Sequence, residues 1–259
     1  MVRLGDVDWM EGDAQATRRR YQEAMEVQER LVNGGITDRV LLDDLGWSCL
    51  RIANLDYVAG RPEVALQLID RQIAIAHQLK AGDRAAPSPY WSLMTAHNQA
   101  ATVLEWTPRR AEYESHLTKA LDAAERLIQI RPDERRYHAH YAELAVEVAS
   151  KIELPADRLP NASALAQQAR ISVEVLKKVD PESHEALATE GYLTALLALI
   201  EEQMGHFPEA LRLAEESVKL ARRLNEFEHD SGFSRYRIQY TNECLERIRA
   251  RSLAAGERK

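Results

Sequence analysis

Long apolar runs are missing from this sequence of 259 residues. The longest clean one spans only 194–200, far short of the roughly 20 residues that a membrane-spanning helix needs. Cysteine is nearly absent. Cys49 and Cys244 are the only two, and neither stands at the spacing of a metal site or a redox pair. Positive charge is in deficit: 34 lysines and arginines face 41 acidic residues, a net charge of −7. A general nucleic-acid binder would instead carry a basic face. Strand signals are lacking too, since no alternating run is bounded by Asn-Gly or Asp-Gly. No glycine-rich loop follows a strand, and no serine or cysteine sits in a nucleophile motif. Neither an enzyme nor a cofactor is therefore expected. The opening residues, Met-Val-Arg-Leu-Gly-Asp-Val-Asp, hold no apolar core ahead of a cleavage site. With the scarce cysteines, that makes a reduced, cytoplasmic compartment the expectation.

What the chain does have is helix signal throughout. Apolar residues are 45% of the sequence, an ordinary share for a globular protein, and they recur at three- and four-residue steps. The pattern predicts helices over 2–11, 13–32, 38–59, 61–79, 89–106, 108–130, 134–153, 162–178, 183–204, 207–226 and 233–252. Pro89, Pro108, Pro181 and Pro208 fall near predicted starts, where a missing N–H is harmless. Ser88, Thr107, Asn161 and Asp180 are candidate N-caps, since their side-chain oxygens can accept from free backbone N–H groups. The stretches 81–87 and 154–160 read as loops.

The helices repeat. The last leucine of each second helix is Leu31, Leu79, Leu127, Leu176 or Leu224, at spacings of 48, 48, 49 and 48. Other columns keep the same register. Seven residues before each leucine stand Ala24, Gln72, Ala120, Ala169 and Ser217. Seven before each turn stand Gly5, Ala53, Ala101, Ser150 and Ala198, and the turns themselves fall at Gly12, Gly60, Pro108, the 154–160 loop and Gly205. Small residues let two helices of a hairpin approach closely, and larger apolar residues fill the space above and below. One helix pair cannot bury its apolar face alone, but stacked pairs share a continuous core. The predicted units are about 1–36, 37–86, 87–132, 133–181 and 182–232. A capping helix and tail follow over 233–259, with Phe233, Tyr236, Tyr240, Cys244 and Ile248 as one apolar stripe. By this register the first helix of unit one starts short, so the chain is expected to be a piece of a longer protein.

Gly5, Gly12, Tyr21 and Ala24, then Ala53, Gly60 and Ala65, then Ala198, Gly205, Ala210 and Ala214 carry a resemblance. Their spacing is similar to that of the tetratricopeptide repeat (TPR) family. Units three and four depart from it, with no turn glycine and with Tyr113 where alanine is expected. The period of about 48 is longer than the family's usual 34, so HEAT-like or other helical repeats stay open. The resemblance implies an all-α, right-handed α-solenoid of about five antiparallel helix pairs whose first helices line a concave groove. Transferred by register, the groove residues are Asp6 and Trp9; Trp47, Leu50, Asn54 and Tyr57; Thr95, Asn98, Thr102, Glu105 and Trp106; Leu144, Glu147 and Lys151; and Tyr192, Ala195, Leu199 and Glu202. The expected peptide-binding set is Trp9, Trp47, Leu50, Asn54, Tyr57, Asn98, Thr102 and Trp106. Asparagine can donate to and accept from an extended backbone, and Trp or Tyr adds contact area at little entropic cost. Trp47 and Tyr57 could equally be core, because aromatics are commonly buried. The family's carboxylate clamp needs several basic residues, whereas the matching positions Val2, Asp6, Trp47, Arg51 and Gln99 offer one.

His138 and His140, beside Glu143, stand two residues apart. That step turns them to different faces of a helix, so no metal site is expected. Three readings follow. One is a scaffold that binds a protein or peptide partner, or other domains of its parent chain. Another is a regulatory sensor domain of a larger signalling protein (a kinase, protease or transcription regulator), taking a peptide or small ligand. An all-helical enzyme with a scattered site ranks last.

Overall fold

The computed structural model describes residues 13–105, 107–151, 159–228 and 232–256. Among them every regular element is an α-helix. In chain order these are α1 (Ala14–Asn33), α2 (Arg39–Val58), α3 (Pro62–Gly82), α4 (Pro87–Leu104), α5 (Arg110–Ile130), α6 (Arg135–Lys151), α7 (Leu159–Val179), α8 (His184–Gln203), α9 (Phe207–Glu228) and α10 (Gly232–Gly256). The expected helix over 2–11 lies outside the described residues, as do Gly5, Gly12 and most of the expected loop over 154–160. The chain divides into two compact units, Met1–Pro132 and Asp133–Lys259.

In the first unit each helix packs on the next, from α1 to α5, and α2 also touches α4. In the second, α6 packs on α7, α7 on α8, α8 on α9 and α9 on α10, with α6 and α10 also touching α8. Both units are thus antiparallel helix pairs whose first helices lie side by side.

Helix ends follow local chemistry. The Asp38 carboxylate accepts from the N–H groups of Val40 and Leu41 at 2.9 and 3.2 Å and so caps α2. Asp13 caps α1 and Ser183 caps α8 in the same way. The candidate caps at Ser88, Thr107, Asn161 and Asp180 miss by a few residues. Asn161 falls inside α7, which begins at Leu159. Pro87 begins α4 one residue ahead of Ser88, and the Ser88 hydroxyl donates to Asp43 in α2 instead, at 2.8 Å. Gly60 and Gly205 sit at φ +73° and +80°, a region that any side chain would disfavour. Each closes its turn in the same pattern: Arg61 N–H donates to Asp56 C=O at 2.8 Å, and His206 N–H to Glu201 C=O at 2.9 Å.

The repeat columns map onto the core. Ala24, Gln72, Ala120, Ala169 and Ser217 are all buried. Gly46 in α2 faces Gln72 and Ile75 of α3, and a methyl group there would meet both at 3.6 Å. Gly191 in α8 faces Leu220 of α9, and its carbonyl accepts from the Ser217 hydroxyl at 3.0 Å. Gly46 and Gly191 stand 33 residues before Leu79 and Leu224 respectively, so both pairs are built in one register. Gln72 departs from its column in chemistry: both polar atoms of its side chain are buried without a hydrogen-bond partner among the described residues.

The leucine column also has a common partner position. Leu79 packs in one cluster with Leu42, Leu176 with Ala139, and Leu224 with Leu187. Each partner lies 37 positions upstream. Leu127 is fully buried, and the residue 37 before it is the buried Tyr90. Leu31 breaks the series, at 40% exposure.

Among the described residues, each unit also buries one carboxylate near the end of a first helix. Asp56 accepts from Arg18 of α1 at 2.7 Å and from Arg61 at 2.6 Å. Glu202, expected on the groove, is buried. Arg247 and Arg251 of α10 hold it at 2.7 and 3.1 Å. The helix α10 packs on α9 and touches α8, and its arginines neutralise the buried acid. Removing both arginines leaves that charge unpaired, whereas removing the acid leaves two half-exposed cations. The Arg247→Ala, Arg251→Ala double variant is therefore expected to lose about 3–5 kcal/mol. Glu202→Gln should lose less, as read from urea denaturation midpoints of the three proteins.

Candidate functional site

The expected binding residues that can be placed all lie in the first unit, on α2 and α4. Trp9 and Trp106 lie outside the described residues. On α2, Asp44, Trp47, Arg51, Asn54 and Val58 form one stripe at three- and four-residue steps, and all are at least partly exposed. On α4 the matching stripe is Trp91, Thr95, Asn98 and Thr102. Asn54 and Asn98 are exposed, and their amides make no hydrogen bond within the described residues. Trp47 is half-buried, intermediate between core and open surface.

Two of the expected residues belong to a seam instead. Asp43, Leu50 and Tyr57 follow one another at seven-residue steps, which keeps them on one line of the helix. The Asp43 carboxylate accepts from the hydroxyls of Ser88 and Ser92 in α4 at 2.8 and 3.3 Å, so that line faces α4. Leu50 is only 7% exposed as a result, a core residue that offers little surface to a ligand. Tyr57 is half-buried on the same line. Leu50 is expected on the groove by register, but it lies about 60° round the helix from Trp47.

The threonines are partly spent on their own helix. Thr102 donates to the Asn98 carbonyl at 3.1 Å, and Thr95 to the Trp91 carbonyl at 3.0 Å. Trp91 was missed by the transfer although the signal was present: it stands four residues before Thr95 on the same stripe. Arg51, the one basic residue at the clamp positions, lies 5.8 Å over the Tyr21 ring of α1. In the second unit, Leu144 and Ala195 are buried and Tyr192 is half-buried.

The histidines separate as their spacing requires. His138 turns inward, with Nδ1 3.2 Å from the Ser172 hydroxyl of α7. His140 turns outward, 3.6 Å from Glu143. Cys49 is buried, and burial pushes its thiol up to about 11, which keeps it protonated and unreactive.

A further pair was not legible from spacing. His97 of α4 and His116 of α5 place their Nδ1 atoms 2.9 Å apart, so one ring donates to the other. Burial, reinforced by His116, Lys119 and His77, holds His97 down to about 4. Burial and Lys119 also lower His116, against the opposing pull of Asp70 and Glu112. The unfolded chain takes up these protons near pH 6.5, while folded His97 resists them until about pH 4. Stability from the neutral pair is therefore complete above pH 6.5 and is lost as the pH falls towards 4, by up to about 1.4 kcal/mol per pH unit for His97. Urea titrations at pH 7 and pH 5 should show this loss, and His97→Leu should shrink it. An unchanged loss in the variant would assign it to other groups.

No protein-family model matches the chain, and no curated protein matches it in sequence. Solved structures do match. BtubC from P. vanneervenii is 13% identical over 94% of this chain and 92% of its own, with a TM-score of 0.51. A thermophilic TPR protein of Thermus thermophilus is 15% identical over 93% and 96%, with a TM-score of 0.44. At such identities the likeness speaks to fold and not to partner. All-helical in its described residues, with repeated pairs in one register, this chain has the TPR-like helical-repeat fold.

Proposed function

We propose that the chain is a non-enzymatic scaffold that holds an extended segment of a partner protein along the exposed stripes of α2 and α4. The observation that carries this reading is the pair of asparagines. Asn54 and Asn98 present exposed amides, unused within the described residues, on two helices that touch. An amide can donate to one peptide group of a ligand and accept from the next. Trp47 and Trp91, each half-buried, stand seven residues ahead of those asparagines on the same stripes. An anchored indole supplies apolar contact without losing much freedom on binding. A stripe that joins fixed aromatics to free amides suits a backbone in extended form.

Around it the charges are mixed. Asp44 and Arg51 flank Trp47 on α2, so a strongly acidic or strongly basic segment is not favoured. Other domains of a parent chain could supply the segment as well as a separate protein could. The cytoplasm, rich in reduced thiols, is the compartment that fits two cysteines joined by no disulfide.

Asn54→Ala with Asn98→Ala removes both amides from exposed positions and should leave the melting temperature within about 2 °C, as surface substitutions do. Partners captured from a lysate by the parent protein should be retained at least about tenfold less by the double variant, since each peptide hydrogen bond contributes about 1 kcal/mol. Equal retention of every partner would remove the stripe as the binding surface.

A further inference from the structure

On the flank of α4 away from α2, a cleft of about 500 Å³ opens between α3 and α5. That volume lies within the range of small-molecule sites. Its floor is apolar, with Ile73 of α3, Leu93 of α4 and Ala123 of α5 around the ring of Tyr90. Its charged lining is mainly cationic. Lys80 comes from α3 and Lys119 and Arg126 from α5, against the single carboxylate of Asp122. Lys80 Nζ stands 5.1 Å from the Tyr90 ring centroid, and the Arg126 guanidinium carbon 6.0 Å from it.

These cations differ from many others in the chain. Arg18, Arg61, Arg109, Arg247 and Arg251 all meet carboxylates. Among the described residues Lys80, Lys119 and Arg126 have no ion pair. A protein with a net charge of −7 thus leaves three cations without a carboxylate partner among the described residues round one concave surface, with a local balance of +2. Arg126 also donates to the Gln129 side-chain oxygen at 2.8 Å. A concave surface lined mainly by one sign of charge focuses the field on whatever enters.

We infer that this cleft binds a small organic dianion with an apolar body, of the kind a phosphate monoester presents. The phosphate would lie among Lys80, Lys119 and Arg126, and the apolar body against Tyr90 and Leu93. The site is separate from the α2–α4 stripes. His97, which also lines the cleft, is neutral near pH 7 and adds a polar group without adding charge.

The test uses isothermal titration of the whole chain with three probes. Phenyl phosphate should bind saturably. Inorganic phosphate should bind at least about tenfold more weakly, because it forgoes the apolar floor, and benzyl alcohol should show no saturable binding. Lys119→Glu reverses one exposed charge and should weaken phenyl phosphate by about tenfold or more. Asp122→Asn removes the opposing carboxylate and should tighten it. Asn54→Ala with Asn98→Ala should leave it unchanged, which keeps this site distinct from the peptide surface. Absence of saturable phenyl phosphate binding at millimolar concentration overturns the inference, and so does binding that is the same in Lys119→Glu and Asp122→Asn as in the parent.

Discussion

The structure depends on close contact between the two helices of each pair. At Gly46 of α2 even a methyl group would already lie in van der Waals contact with Gln72 and Ile75, at 3.6 Å from each. At Gly191 of α8 a methyl group would meet Leu220 at 3.6 Å, and the backbone carbonyl accepts from Ser217. Approach this close is possible only where one partner lacks a side chain or carries a small one. Leu79, Leu176 and Leu224, seven residues beyond Gln72, Ala169 and Ser217 respectively, then pack against the residue 37 positions back, at the start of their own pair. These contacts fix the register of the hairpins, and the exposed stripes of α2 and α4 follow from that register. Both stripes lie at the edge of the core, with Trp47 and Trp91 half-buried. Both are positioned by it.

Much of this was legible in the sequence because repetition multiplies a weak signal. One leucine at the end of a helix means little, whereas five at spacings of 48 or 49 define a register. The helix boundaries fall within a few residues of expectation, since glycines at Gly60 and Gly205 and the start at Pro87 have direct backbone consequences. Errors arose where two positions compete for one role. Ser88 has the chemistry of a cap, but the carboxylate of Asp43 claims it. Leu31 belongs to its column by spacing and not by burial, because a column records the repeat and a neighbour decides the environment.

The candidate surface was less legible than the fold. Register transfer placed Asn54, Asn98 and Thr102 on exposed positions, yet it also chose Leu50, which the Asp43 line turns into the α2–α4 seam. A seven-residue step from an acid whose partners lie on another helix cannot be recognised before those partners are known. Glu202 is a similar case, since its two arginines are 45 and 49 residues away in sequence. The cationic cleft brings together α3, α4 and α5, and no linear motif marks it. Long-range charge pairing and clefts are properties of packing, and the sequence shows them only after the helices are in place.

The register itself is open to a direct comparison of Leu127 and Leu31 in urea denaturation. The two leucines are equivalent by spacing, but one is fully buried and the other 40% exposed. If hairpin packing assigns the environment, Leu127→Ala loses about 2–5 kcal/mol. Leu31→Ala should then lose less than about 1 kcal/mol. Equal losses at the two positions would contradict the account.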